Sequence, residues 1–281
     1  MANYKSRNYP SVNKEINYRK AKYGMVIDVD RCTGCGACMV ACAVENNVAP
    51  APAAATDRTG ITPIRVYEAD NGLPFPDNKS VFFPISCQQC EHHTPCVSVC
   101  PQNAVALDQD TGIVGQIPVR CFGCRYCMVA CPYHARYFNW WDPTWPNGME
   151  KTLNPDVSPR MRGVVEKCNF CFHRLQAARS KAAIDGKKDI DPSDYVPACV
   201  ETCPTQAIVF GDLLDEGSEV AKLSKDQDTF RLLENLGTEP KVYYHSRQEW
   251  VRKIANSGVE FPQSLAGADH DSSTEKETVN G

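Results

Sequence analysis

The chain has 281 residues, 42% hydrophobic and 23% charged, with a formal net charge of −4. That length holds one large or two small domains. The mild acidity gives a nucleic-acid partner no electrostatic footing. No stretch approaches the roughly 18 consecutive apolar residues of a spanning helix, so neither a nucleic-acid partner nor a direct membrane span is expected.

Residues 1–20 are polar and lack an apolar leader core, a small-residue cleavage site and a twin-arginine pair. Residues 1–23 are therefore taken as an N-terminal extension, in a chain that is either cytoplasmic or exported folded beside a subunit carrying the signal. Residues 24–28 read as a short strand and 37–46 as a helix. Between and within them lie Cys32, Cys35, Cys38 and Cys42, spaced C-x2-C-x2-C-x3-C. Residues 47–79, rich in proline and alanine, read as an extended insertion.

A second unit starts with a strand at 80–85 and continues through Cys87, Cys90, Cys96 and Cys100, spaced C-x2-C-x5-C-x3-C before Pro101. Residues 104–107 and 113–115 bracket Asp110-Thr111-Gly112 as a hairpin. The third unit carries Cys121, Cys124, Cys127 and Cys131 in the first unit's rhythm, followed by Pro132 and a strand at 136–139. Residues 140–162 mix three tryptophans with prolines and arginines, which suits either a protein interface or a flap folded over the site.

The last unit has a strand at 163–166, Cys168 and Cys171, a helix at 172–183, then Cys199 and Cys203 before Pro204, and a strand at 207–210. Lysines and arginines at 160–188 suit a solvated helix face or a subunit contact. Residues 216–263 form a C-terminal segment, and 264–281 have the composition of a disordered tail.

All 16 cysteines fall into these four sets. Each iron of a cubane needs one outer thiolate, and a tight C-x2-C-x2-C run supplies three of the four. The segments CVSVCPQNAVAL, CMVACPYHARYF and CVETCPTQAIVF align without gaps, the mark of duplicated units. The fold expected is α+β: two bacterial ferredoxin-like [4Fe-4S] modules with extended loop insertions. The outer module takes 24–46 and 163–215, and the inner one takes 80–139.

In two-cluster ferredoxins the fourth cysteine of each run crosses to the other cluster. The expected ligand sets are therefore Cys32, Cys35, Cys38 and Cys203; Cys168, Cys171, Cys199 and Cys42; Cys87, Cys90, Cys96 and Cys131; and Cys121, Cys124, Cys127 and Cys100. Zinc is the competing metal, but it usually takes two cysteine pairs across a longer spacer. A disulfide framework leaves the regular spacing unexplained.

Gly34, Gly36 and Gly123 lie inside the binding loops, where backbone amides can point at sulfur. Cys42 is followed by Ala43 instead of proline, a weaker ferredoxin ending. His92, His93, His134 and His173 flank the motifs and are candidate donors to cluster sulfur. No phosphate loop and no nucleophile–base pair stands out, so no catalytic residue is assigned.

With four motifs in this order, residues 24–250 resemble the four-cluster electron-transfer subunits of the complex iron-sulfur molybdoenzymes, such as polysulfide, dimethyl sulfoxide and arsenate reductases. The stretches GMVIDVDRCTGCGACMVACAVENN, NPDVSPRMRGVVEKCNFCFHRL and ACVETCPTQAIVFGDL are similar to the iron-sulfur subunits of alternative complex III and of the menaquinone reductase complex Qrc. The resemblance implies the same cysteine pairing and the same kinds of partner. These are a molybdopterin-type subunit, an NrfD-type integral membrane subunit that handles quinone, and a multihaem cytochrome c.

Relatives in alternative complex III lose the second cysteine of one motif and hold a [3Fe-4S] centre. Here RCFGCRYC keeps Cys124, so four [4Fe-4S] clusters are expected. The resemblance also implies a place beside the bacterial inner membrane, on its periplasmic face after co-export with a partner, or alternatively on the cytoplasmic face. The competing functional readings are a free multi-cluster ferredoxin and an enzyme with an open iron.

Overall fold

The structure, a computed structural model, describes residues 20–56 and 59–257. Its elements run β1 (Tyr23–Asp28), α1 (Ala37–Glu45), β2 (Ile64–Asp70), β3 (Ser80–Ser86), α2 (Pro95–Ser98), β4 (Val105–Leu107), β5 (Val114–Gln116) and α3 (Tyr126–Val129). They continue with β6 (Tyr137–Phe138), β7 (Val165–Glu166), α4 (Phe172–Ile184), α5 (Ala198–Glu201), β8 (Ile208–Asp212), α6 (Glu219–Ser224), β9 (Thr229–Phe230), β10 (Val242–His245) and α7 (Glu249–Ser257). Short helices and strands mix in the α+β manner.

β1 is buried from Tyr23 to Ile27, as a strand with neighbours on both sides has to be. It lies inside a four-stranded sheet of order β8-β1-β10-β9, antiparallel to β8 and parallel to β10. Met25 thus faces Phe210 on one side and Val242 on the other. Residues 216–257 had no role beyond a C-terminal segment, yet they complete this sheet. Parallel pairing needs a long crossover, and here it closes across most of the chain.

The other strands form three two-stranded ribbons, β2-β3, β4-β5 and β6-β7. The first adds an element that the sequence did not single out, a strand inside the insertion at residues 47–79. β2 pairs with β3 from Ile64 opposite Ser86 to Asp70 opposite Ser80, and Ile64, Val66 and Ala69 are buried. The hairpin expected around residues 110–112 forms as β4-β5, with Ala106 opposite Gly115.

The helices that follow the cysteine loops end for a reason visible in the sequence. α2, α3 and α5 have four residues each, and each stops just ahead of a Cys-Pro pair. Proline has no N–H to give and forces the preceding residue out of helix. α1 has Ala43 at that place and runs on for nine residues to Glu45. The ending that looked weakest in the sequence is what lengthens this helix.

The tail expected at 264–281 and residues 1–19 of the N-terminal extension lie outside the described residues.

Candidate metal centres

Two backbone devices recur around the cysteines. Two residues after the first cysteine of every motif, the chain is left-handed: Gly34 (φ 70°), Gln89 (φ 51°), Gly123 (φ 78°) and Phe170 (φ 53°). That twist turns amides inward, and the Phe170 N–H reaches Cys168 Sγ at 3.5 Å.

Three residues after the fourth cysteine, Asn103 (φ 49°), His134 (φ 49°) and Gln206 (φ 50°) are left-handed too. Each brings the next residue's N–H back to sulfur, Ala104 to Cys100 at 3.2 Å and Ala207 to Cys203 at 3.3 Å. Ala135 does the same for Cys131. These alanines are buried, so C-P-x-x-A is a turn that holds a sulfur over a small buried side chain.

The thiols gather in four sets. Cys32, Cys35, Cys38 and Cys203 act on one another electrostatically, as do Cys87, Cys90, Cys96 and Cys131. Cys42, Cys168, Cys171 and Cys199 line one pocket. Cys100, Cys121, Cys124 and Cys127 line another. Each expected set is therefore brought together in space.

Burial first, and then neighbouring thiols, push Cys38, Cys90 and Cys168 up to about 12 and Cys131 to about 11. Cys42 and Cys199 are raised well above the ordinary thiol value for the same reasons. Four thiolates in such a place require a multivalent cationic centre and N–H donors at sulfur. Four sulfurs per set and recurrent N–H···S bonds fit one thiolate per iron of a cubane.

Electrostatic influence between sets puts them in a row. Cys199 feels Cys38, Cys168 feels Cys87, and Cys127 feels Cys96. The order is Cys32 set, Cys42 set, Cys87 set, Cys100 set. Of the 16 thiols only Cys35 and Cys124 are exposed, one in each terminal set.

Polar side chains seal the joints of this row. Gln89 is fully buried between the second and third sets, where it donates to Cys168 O and accepts from the Val114 N–H, both at 2.8 Å. Lys167 Nζ donates to Cys168 O (2.8 Å), to Asn169 Oδ1 (3.1 Å) and to Val114 O. Glu45, at the end of the lengthened α1, takes Arg174 Nε at 2.6 Å and Nη2 at 2.8 Å, together with His173 Nε2 at 2.6 Å. Arg174, with the smaller help of His173, outweighs burial and holds the Glu45 carboxyl down at about 2.

Of the four candidate histidines, His173 is thus tied to Glu45, while His92, His93 and His134 are exposed. His134 is a turn residue. Trp140 packs edge-on against Phe138, and the Arg125 guanidinium sits 5.0 Å from its ring. That places part of the aromatic segment back on the loop beside Cys124. Glycine marked two of the four left-handed loop positions, but nothing in the sequence marked Gln89 or Phe170.

Residues 28–104 and 78–147 match the 4Fe-4S dicluster domain. The chain is 54% identical to the menaquinone reductase iron-sulfur cluster-binding subunit of Nitratidesulfovibrio vulgaris, over 86% of this chain and 95% of that one. The chain belongs to this family of iron-sulfur subunits. It is also 40% identical to a putative dimethyl sulfoxide reductase iron-sulfur subunit of Halobacterium salinarum, over 79% of this chain and 78% of that one. Against protein NrfC of Escherichia coli it is 36% identical, over 83% and 84%. The subunit carries four [4Fe-4S] clusters, and its work is electron transfer. No helix of the described residues is long and apolar enough to cross a membrane.

Proposed function

We propose that the subunit is the wire of a membrane-bound respiratory oxidoreductase. It relays single electrons between a multihaem cytochrome c or molybdopterin-type subunit and a quinone-reactive membrane subunit of the NrfD type. The observation that carries this is the row of four thiol sets with an exposed cysteine at each end. Apolar side chains are exposed along the motifs of both terminal sets: Val40 and Val44 on α1, which carries Cys38, and Val119, Phe122, Tyr126 and Val129 in the stretch that carries Cys121, Cys124 and Cys127. Exposed apolar patches on a soluble domain call for protein partners, and a patch at either end calls for two. The names of relatives, a menaquinone reductase subunit and the Hdr-like menaquinol oxidoreductase iron-sulfur subunit 1 of Archaeoglobus fulgidus, support quinone as one terminus.

Within this proposal each of the four thiol sets holds one cluster, which takes up and returns one electron at a time when bound. The thiolates fix the four centres in a row, the N–H···S bonds orient the sulfurs, and the buried loops exclude water from the two interior centres. The outer module comprises residues 24–46 and 163–215 and the inner one 80–139, while the excursions at 47–79 and 140–162 supply contact surface. The assembly sits on the periplasmic face of the inner membrane, reached by export with a signal-bearing partner.

Purification of the native assembly in mild detergent tests this. A molybdopterin-type subunit, a multihaem cytochrome c and a polytopic membrane protein should accompany the subunit. Phe122→Asp with Val119→Asp should release one partner, and Val40→Asp with Val44→Asp another. Recovery of the fully loaded subunit alone and monodisperse would instead make it a free multi-cluster ferredoxin.

A further inference from the structure

Two cations are buried at the third thiol set, and the carboxylate that acts on one of them, Glu91, is already paired to Lys22. Arg136 is 4% exposed, and its Nη1 donates to Gln116 Oε1 at 3.0 Å. Its Nη2 is buried without a hydrogen-bond partner. The groups that act on this guanidinium are sulfurs of the third and fourth sets, Cys96 and Cys127, each also a hydrogen-bond partner of the side chain, and Cys87.

Lys241 is 1% exposed, and its Nζ also lacks a partner. Its backbone N–H donates to Gln88 O at 3.0 Å, which seats it against the loop between Cys87 and Cys90. Glu91 is the strongest opposite charge acting on it, ahead of Cys90 and Cys87, but that carboxylate is paired to Lys22 at 2.6 Å; burial lowers the ammonium to about 8, which leaves it charged at pH 7. Isolated buried charges are too costly to keep without an opposite charge close by.

The second set is surrounded differently. The buried carboxyl of Glu166 acts on Cys42, with Arg160 3.5 Å from it. Two cations reach this set: Lys167, which acts on Cys168 and donates to Val114 O, Cys168 O and Asn169 Oδ1, and Arg174, which acts on Cys171 but is paired to the carboxylates of Glu45 and Glu201. A thiolate-ligated cubane is an anion that gains one further negative charge on reduction, so an unanswered cation beside it favours the reduced form.

We propose that Arg136 and Lys241 are the counter-charges of the cluster held by Cys87, Cys90, Cys96 and Cys131. They make it the more oxidising of the two interior clusters, the place where an electron in transit rests. The electron comes from an adjacent cluster, which is oxidised by one as this one is reduced by one, and no proton is required. Because Arg136 also faces Cys127, it raises the potential of the fourth cluster as well, whereas Lys241 does not. The inference rests on the ligand sets proposed above.

The test is an EPR-monitored redox titration of the purified, iron-replete complex carrying Arg136→Met, Lys241→Met or Arg136→Lys, with the third cluster's signal identified as the one that Cys90→Ser perturbs. Each methionine variant should shift the third cluster's reduced-to-oxidised ratio at fixed potential tenfold or more, a midpoint lowered by about 59 mV or more. Arg136→Met should lower the fourth cluster's midpoint too, Arg136→Lys should keep most of the native value, and the second cluster should stay put. Full iron with unmoved midpoints in both methionine variants overturns the proposal. So does a native third cluster more reducing than the second, or loss of the third cluster in every variant including Arg136→Lys, which would mark a structural role. A Cys90→Ser protein with all four signals intact would instead strike at the ligand sets themselves.

Discussion

Gly36, one residue after the second cysteine of the first loop, and Gly123, two residues after the first cysteine of the third, have nearly the same φ, 72° and 78°, but different surroundings. A Cβ at Gly36 meets nothing within 4 Å, whereas one at Gly123 would lie 2.2 Å from Gly163 O and 3.0 Å from Phe138 Cε2. Alanine at Gly36 therefore costs only the left-handed penalty, roughly 1–2 kcal/mol. At Gly123 the same penalty is joined by a displacement of more than about 1 Å before ordinary contact distances return.

Gly163 has little room to yield. Its N–H donates to Asn139 O at 2.8 Å, Asn139 N and Nδ2 both donate to Val164 O at 2.9 and 3.1 Å, and Val165 N–H reaches Cys121 Sγ at 3.4 Å. Losing one or two of these bonds adds about 1–3 kcal/mol, for a total of about 2–5 kcal/mol. Iron content and EPR cluster counts after mild heating measure the outcome. Gly36→Ala should keep four clusters and lose them slightly faster than the native protein, while Gly123→Ala should lose the cluster of its own loop first. Equal behaviour of the two variants would refute the close-contact argument.

Glu45→Gln should weaken the joint between α1 and α4. The native carboxyl is depressed from 4.5 to about 2 by Arg174 and His173, so its stabilisation is complete above about pH 4.5 and disappears as the pH falls through about 2. The shift sets a ceiling of about 3 kcal/mol, which solvent around the half-exposed guanidinium reduces to about 1–2 kcal/mol. Denaturant unfolding at pH 7 should show that gap and a smaller one at pH 3, and a gap that widens on acidification contradicts the assignment. Gln89→Ala strands a buried N–H at Val114, while Cys168 O keeps Lys167 Nζ, at a cost of about 1–3 kcal/mol. Hydrogen exchange at the Val114 amide should accelerate accordingly, and an unchanged rate would dismiss the bridge. Cys124→Ser should convert or abolish one cluster and leave three assembled, so unaltered iron content and EPR would remove Cys124 from the ligands.

The cysteine loops were the most legible part of the chain, because their function is local. β1, α1 and α4 could be located from the apolar runs and helical stretches beside them. The strand β2 was hidden because prolines and alanines before it set the character of the whole segment, and its partner, not its composition, makes it a strand. Gln89 and Phe170 take left-handed backbones that their side chains do not advertise, since the loop around sulfur imposes them. Glu45 was passed over as an ordinary helix-end acid. It matters only because the absence of a proline after Cys42 carries it within reach of Arg174.

The amino-acid sequence by itself determined how many thiolates there are, how they are spaced, where proline stops each short helix and where a small alanine follows. These depend on neighbours a few residues away, within reach of bond geometry and sterics. Tertiary structure decided the order of the four sets, which cysteines face solvent, how β10 comes to lie parallel to β1, and that Arg136 and Lys241 are buried beside sulfur. Those outcomes depend on segments separated by tens to hundreds of residues being packed together. Burial, field and exposure are properties of the packed whole, and no local run of residues carries them.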